Sequence, residues 1–233
     1  MRTSPRLVVV LARGSGIDDD GFAAAVRPYR EALEARAPEG VTVRLGARHP
    51  DDPFSSLMGD RGDVMTIDGV MELNGPDDGT VDALARSVTG LADDLGDAVN
   101  PARCAAIAGR CHHVIEGTGA VMIALGGRRA AGTTMEELSK WWLHQHAPLV
   151  MRTVTPLPNS YEQLHADADA SRAAATAAGV ASTHWDMFDS IYVDSIEEFV
   201  RTMSDPTIGA TLLEDEVGHV DHGSLHGAAQ QVL

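Results

Sequence analysis

Apolar and polar positions along the chain follow a strand period, then a helical period, in an order that occurs twice. "RLVVVLAR" (6–13) is a short apolar run of strand character. In the "DDDGFAAAVRPYREALEARAPEG" that follows, apolar residues recur at helical spacing from near Asp20 to just before Gly40. "VTVRLGARH" (41–49) and "VMTIDGVMEL" (64–73) read as strands separated by a polar loop. "DDGTVDALARSVTGLADDLGD" predicts a second helix with Thr80 or Asp82 near its cap, and "CAAIAGRCHHVIEG" a fourth strand.

The second half repeats the plan. "AVMIAL" (120–125) is a strand, and "TTMEELSKWWLHQHAPLV" is a helix opened by Thr133 or Thr134 with Glu136 and Glu137 in its first turn. "NSYEQLHADAD" and "THWDMFDSIYV" (183–193) supply two more strands. "SIEEFVRTMSDPTIGATLLEDEVG" is helical with a break at Pro206, and "HVDHGSLHGAAQQVL" closes the pattern. Each half is therefore β-α-β-β-α-β, an α+β unit of ferredoxin-like type. Four strands with helices on one face leave the other face bare, so two such halves can cover each other and close a barrel within one chain. The expected division is 1–118 and 119–233, at the glycine-bearing "EGTGA". An internal match sets "TIDGVMEL" against "MFDSIYVD", with Asp68 opposite Asp189.

Charge narrows the partners. Thirty-four acidic residues against 18 basic ones give a net charge of −16, which disfavours nucleic acid and anionic membranes and leaves a small molecule as the expected partner. No apolar run is long enough for a signal peptide or a membrane span, so the expected compartment is the cytoplasm. Cys104 and Cys111 lie seven apart, on opposite faces of a strand, which argues against a disulfide. "RGD" (61–63) is read as a chance match in an acidic loop. "GSG", "GTG" and "GGRR" lack the context of a dinucleotide site.

Three segments, "TTMEELSKWWLHQHAPLV", "WDMFDSIYVDSIEEFVRTMSDP" and "EDEVGHVDH", resemble the EthD family of dimeric α/β-barrel proteins. The resemblance covers 120–226, with the family's "HAP" as His146-Ala147-Pro148; in the first half it rests on Asp68-Gly69-Val70-Met71-Glu72-Leu73. It implies the barrel fold, and a lyase, cyclase, isomerase or monooxygenase without an organic cofactor, acting on polyketide-like or other aromatic compounds.

At about 100° per residue, Met135, Leu138, Trp142, His146 and Leu149 share one stripe of the helix, while His144 lies opposite. His146 is thus the candidate base, set among apolar neighbours. The first-half helix carries Phe22, Ala25, Tyr29 and Leu33 in the matching stripe and has no histidine, which places the chemistry in the second half. Asp189 is the candidate to orient His146, or else braces its own strand. His184 and Tyr192 are candidate proton donors, and Trp142, Trp185 and Leu149 candidate walls of a ligand pocket. The cluster His219, Asp221, His222 and His226 splits across two strand faces, so no metal is expected, with His222 the candidate of the group to face the pocket. The expected activity is lyase, dehydratase, cyclase or isomerase chemistry by histidine acid–base catalysis. The alternatives are a cofactor-free oxygenase, haem chemistry with His222 or His146 as axial ligand, and a non-catalytic binding or scaffold protein. A homodimer of tandem-barrel chains is a further expectation.

Overall fold

The strand-forming runs pair into one closed sheet in the computed structural model, which describes residues 1–54 and 66–233. The first half supplies β1 (Arg2–Leu11), α1 (Asp19–Arg36), β2 (Thr42–Arg48), β3 (Gly69–Asn74), α2 (Val81–Ser87), α3 (Leu91–Leu95) and β4 (Ala105–Ile115). The second supplies β5 (Val121–Arg129), α4 (Met135–Trp141), α5 (Ala147–Thr153), β6 (Ser160–Ala166), α6 (Ala168–Ala178), the two-residue β7 (Ala181–Ser182), β8 (Met187–Val193), α7 (Ile196–Met203), α8 (Pro206–Glu216) and β9 (Val220–Val232). The strand order β1-β3-β2-β9-β5-β8-β6-β4 returns to β1 through the β1–β4 ladder, so eight antiparallel strands close a barrel. Each half contributes four strands in the same internal order. The seams between halves are β2–β9 and β4–β6.

Strand alternation sorts side chains into two layers. On β8, Phe188, Ser190 and Tyr192 point into the barrel, while Met187, Asp189, Ile191 and Val193 face the helices outside. The inward positions include Val8, Val10, Ile107, Met122 and Phe188. They also carry a buried polar network. Arg6 is fully buried and donates to Glu162 at 2.6 Å, and Arg44 reaches the same carboxylate at 2.9 Å. His113 Nδ1 lies 3.0 Å from Glu162, and Tyr192 donates to Glu72 at 2.6 Å.

The outer face of the first half is filled. α1, capped by Asp18, packs Phe22, Val26, Tyr29 and Leu33 against Leu7, Val9, Leu11 and Met71. Val26 rather than Ala25 completes the buried stripe. The expected second helix is two short ones, because Gly90 adopts a left-handed φ of 77° between them. β3 starts at Gly69, later than expected; the first two residues of its expected run, and the Arg61-Gly62-Asp63 match, lie outside the described residues. α6 has no counterpart in the predicted pattern. It crosses from the second half to pack Ala174, Ala175 and Ala178 against the first-half core. The break at Pro206 falls as expected, with Pro206 at the first turn of α8.

The repeat is visible in hydrogen bonds. Asp68 N–H donates to Leu11, and the Asp68 carboxylate accepts from Arg13 N–H; Asp186 N–H donates to Gly127, and its carboxylate accepts from Arg129 N–H. Asp68 therefore corresponds to Asp186, not to Asp189. Setting Asp68 against Asp189 slips the match by three residues and reverses the face. Counting along both strands, Asp189 stands where the first half has the buried Met71.

Candidate active site

The helix carrying His146 is built to turn one imidazole inward. Thr134 and Glu137 form a capping box at its start. From Trp142 to His146 the backbone widens to a π-helical turn, in which Ala147 N–H donates to the Trp142 carbonyl. The widened turn buries both Trp141 and Trp142 and still brings His146 back beneath Trp141, with ring centroids 5.0 Å apart. His146 is 7% exposed and His144 faces solvent, as the helical phase predicts.

His146 lines a cavity of about 360 Å³ between the outer face of β5, β6 and β8 and the helices above it. Leu125, Ile191 and Val193 form the sheet side, and Val150, Val154, Phe199, Met203 and Leu212 the helix side. Asp189 and Tyr161 also line it, both almost fully buried. The mouth is marked by exposed Leu157 and by Asn159, Asp194 and Glu198.

Electrostatics give each polar group a state. His146 Nδ1 lies 2.9 Å from Asp215 Oδ2. A carboxylate only accepts, so the ring donates from Nδ1, and Nε2 is engaged by no described residue. Burial, and secondly the charge of Glu216, push the Asp189 carboxyl well above the usual carboxylate range, and its Oδ1 has no partner. Burial thus favours the protonated, uncharged form of the Asp189 carboxyl. Burial, and then the nearby Asp189, likewise push the Tyr161 phenol well above its ordinary value; its oxygen accepts from Gln163 at 2.7 Å. The cavity therefore presents an imidazole nitrogen, a phenol and a carboxyl whose uncharged form burial favours, within largely apolar walls.

Several expected site residues lie elsewhere. The carboxylate that His146 meets is Asp215, on α8, and not Asp189. His184 is exposed, because it precedes β8 at the rim of the barrel. Tyr192 points into the barrel, where its hydroxyl is held by Glu72, since it has the opposite strand parity from Asp189. His222 sits on the surface and bonds Glu216 at 2.8 Å. Trp142 is wholly buried in the helix core with Leu138 and Trp141, Trp185 stacks on His226 inside the barrel wall, and Leu149 lies outside the cavity lining. The C-terminal histidine cluster is dispersed: His219 stacks on Trp141, Asp221 pairs with Arg128, and His226 faces Trp185. Among the described residues no group of three or more His, Cys, Asp or Glu side chains is placed to hold a metal ion. Cys104 and Cys111 are both free. No helix among the described residues is long and apolar enough to cross a membrane.

This architecture defines a tandem α/β-barrel protein of the dimeric-barrel type. The family model of the EthD domain matches residues 130–223, within the second half. Among solved structures, the fold is similar to an anthrone oxidase-like protein (TM-score 0.61, 8% identity, covering 99% of this chain and 91% of that one). It is also similar to a chlorite dismutase variant from Candidatus Nitrospira defluvii (0.52, 9%, 100% and 92%) and a haem-binding protein from Thermus thermophilus (0.52, 8%, 99% and 92%). At such identities these likenesses establish the fold alone. No curated protein matches the chain.

Haem fits this donor set poorly. His146 Nε2 could face an iron, but the propionates need cations, and the described residues lining the cavity include four carboxyl groups and neither arginine nor lysine. His222, the other axial candidate, is tied to Glu216 at the surface.

Proposed function

We propose that the chain is an enzyme that moves a proton on a small, largely apolar, aromatic or polyketide-like carbonyl compound bound in the second-half cavity. The observation that carries this reading is the pairing, in one apolar cavity, of an imidazole whose Nδ1 is fixed by a carboxylate with a buried carboxyl, Asp189, whose Oδ1 has no partner and whose uncharged form burial favours. His146 Nε2 removes a proton from a carbon that the carbonyl activates, either next to it or conjugated with it through an aromatic ring. Asp215 positions the ring and balances the imidazolium that forms. Asp189, and beside it Tyr161, donate hydrogen bonds to the oxygen on which negative charge develops. The returned proton, or the group expelled, then decides between isomerisation, elimination, dehydration and cyclisation. The first half serves as scaffold, since Met71 and Phe22 occupy the layer that the second half leaves open.

Anthrone is a suitable probe, being flat, neutral and acidic at the carbon opposite its carbonyl. Without oxygen, the protein is expected to speed deuterium uptake at that carbon, and His146→Gln to slow it by about 10²–10⁴ while the fold is kept. An unchanged exchange rate in His146→Gln would sink the reading. The likeness to an anthrone oxidase-like protein favours a second reading, a cofactor-free oxygenase, that begins with the same proton removal. In air the carbanion would then consume one O₂ per anthrone, giving anthraquinone and water. Oxygen uptake tied to anthraquinone formation supports oxygenase chemistry; exchange without uptake supports the lyase and isomerase classes.

A further inference from the structure

The cavity is apolar at its walls but acidic at its mouth. Its deep end holds His146, Tyr161 and Asp189, each less than a tenth exposed, with Asp189 Oδ1 unpartnered and buried. Its outer end holds Asp194, at the end of β8, and Glu198, in the first turn of α7. Asp194 accepts from Asn159 Nδ2 at 2.7 Å, a neutral donor that leaves its charge intact. Glu198 lies 3.7 Å from Arg201, whose side chain is 75% exposed, so the pair is loose and screened by solvent. Glu216, part-way in, is bonded to His222. The chain as a whole carries −16, so the field at this opening favours cations and repels anions.

We propose that the cavity selects its substrate by charge, taking carbonyl compounds that carry a cationic amine on the end left at the mouth and rejecting carboxylated analogues, with Glu198 and Asp194 setting the choice. This rests on the reading of the cavity as the substrate site. A carbonyl end seated against Asp189 and Tyr161 directs the far end of a flat molecule outward. There an ammonium group gains the attraction of two carboxylates across a partly solvated gap, whereas a carboxylate meets repulsion of similar size. Apolar walls between the two ends make a neutral compound intermediate.

The test measures binding and needs no turnover. Acetylnaphthalene, its aminomethyl derivative and its carboxylate derivative are titrated calorimetrically into the protein at low ionic strength and again at about 0.5 M salt. The amine is expected to bind at least about tenfold more tightly than the carboxylate, a difference of about 1.4 kcal/mol, and the ratio should shrink with salt. Asp194→Asn combined with Glu198→Gln should cut the ratio to about threefold or less and leave the neutral compound's affinity nearly unchanged. Val150→Trp, which fills the cavity, should abolish binding of all three. Equal binding of amine and carboxylate, or an unchanged ratio in the double variant, overturns charge selection while leaving the cavity as the substrate site. No binding to the wild-type protein, or binding that survives Val150→Trp, overturns the site itself and this inference with it.

Discussion

His146 and Asp215 are 69 residues apart and meet only because α8 folds back over the helix that carries the imidazole. His146 is legible in the sequence because helical phase alone sends it inward. Asp215 is not, since no periodicity links a carboxylate on one helix to an imidazole on another. Asp189 is legible only as far as its strand: parity gives the face it shares with the cavity, while the burial that raises its carboxyl depends on helices that the strand pattern cannot place. Asp215→Asn is expected to lower the anthrone exchange rate at saturation by about 10–10³, with little change in the concentration of half-saturation, and Asp215→Glu to recover part of it. A purely structural role would instead lower the melting temperature and leave the rate per folded molecule unchanged. Asp189 makes a second prediction, from linkage. Its carboxyl has a higher pKa folded than unfolded, so the folded state binds the extra proton, and the group's contribution to stability is lost as pH rises above about 4, its unfolded value. Asp189→Asn removes that dependence. Urea unfolding should therefore show the variant gaining on the wild type as pH rises from about 5 to about 8, even as its activity falls. A constant difference across that range would refute a raised Asp189 carboxyl.

Among the elements, the alternating strands and the amphipathic α1 can be read from their periods, because one face is packed and the other solvated. α6 cannot. "ADASRAAATAA" offers alanine on several sides, so its apolar stripe contrasts little with its neighbours. Its alanines matter through their size: Ala174 and Ala178 are fully buried where the helix lies against the first-half core. Asp167 caps it by accepting from Asp169 and Ala170 N–H, and Ser171 Oγ accepts from Ala108 N–H, tying the helix to β4 at 3.0 Å. Ala174→Leu should overpack this contact and cost about 1–3 kcal/mol, with a lower midpoint in chemical denaturation. Because α6 covers the half without the cavity, the same variant should bind acetylnaphthalene as the wild type does. A fall in affinity larger than about threefold would mean that the two halves are coupled through the barrel wall.

The whole molecule is held by a polar centre that spans both halves, where a barrel interior is ordinarily filled by apolar side chains. Arg6 on β1, Arg44 on β2 and His113 on β4 converge on Glu162, which comes from β6 of the other half. Burial alone would raise the Glu162 carboxyl, but the hydrogen bond with His113 and the charges of Arg6 and Arg44 outweigh it and hold it down at about 2. Duplication of the β-α-β-β-α-β pattern makes the closed barrel legible; the charged centre is not, because Arg6 and Glu162 each look like the solvated position of an edge strand until the barrel closes over them. The sign of the pH dependence follows. A carboxyl depressed on folding contributes stability that is present above its unfolded value of about 4.3 and is lost as pH falls toward 2. Glu162→Gln should therefore leave the buried Arg6 and the half-buried Arg44 sharing the single carboxylate of Glu72, and cost about 3–5 kcal/mol at pH 7. It should also flatten the acid limb, so that the gap between variant and wild type narrows as pH drops from about 5 to about 2. Calorimetric unfolding across that range checks both statements. A gap that is independent of pH would mean that Glu162 packs in the barrel as a neutral side chain, leaving the seam to its strand ladders and the apolar layer.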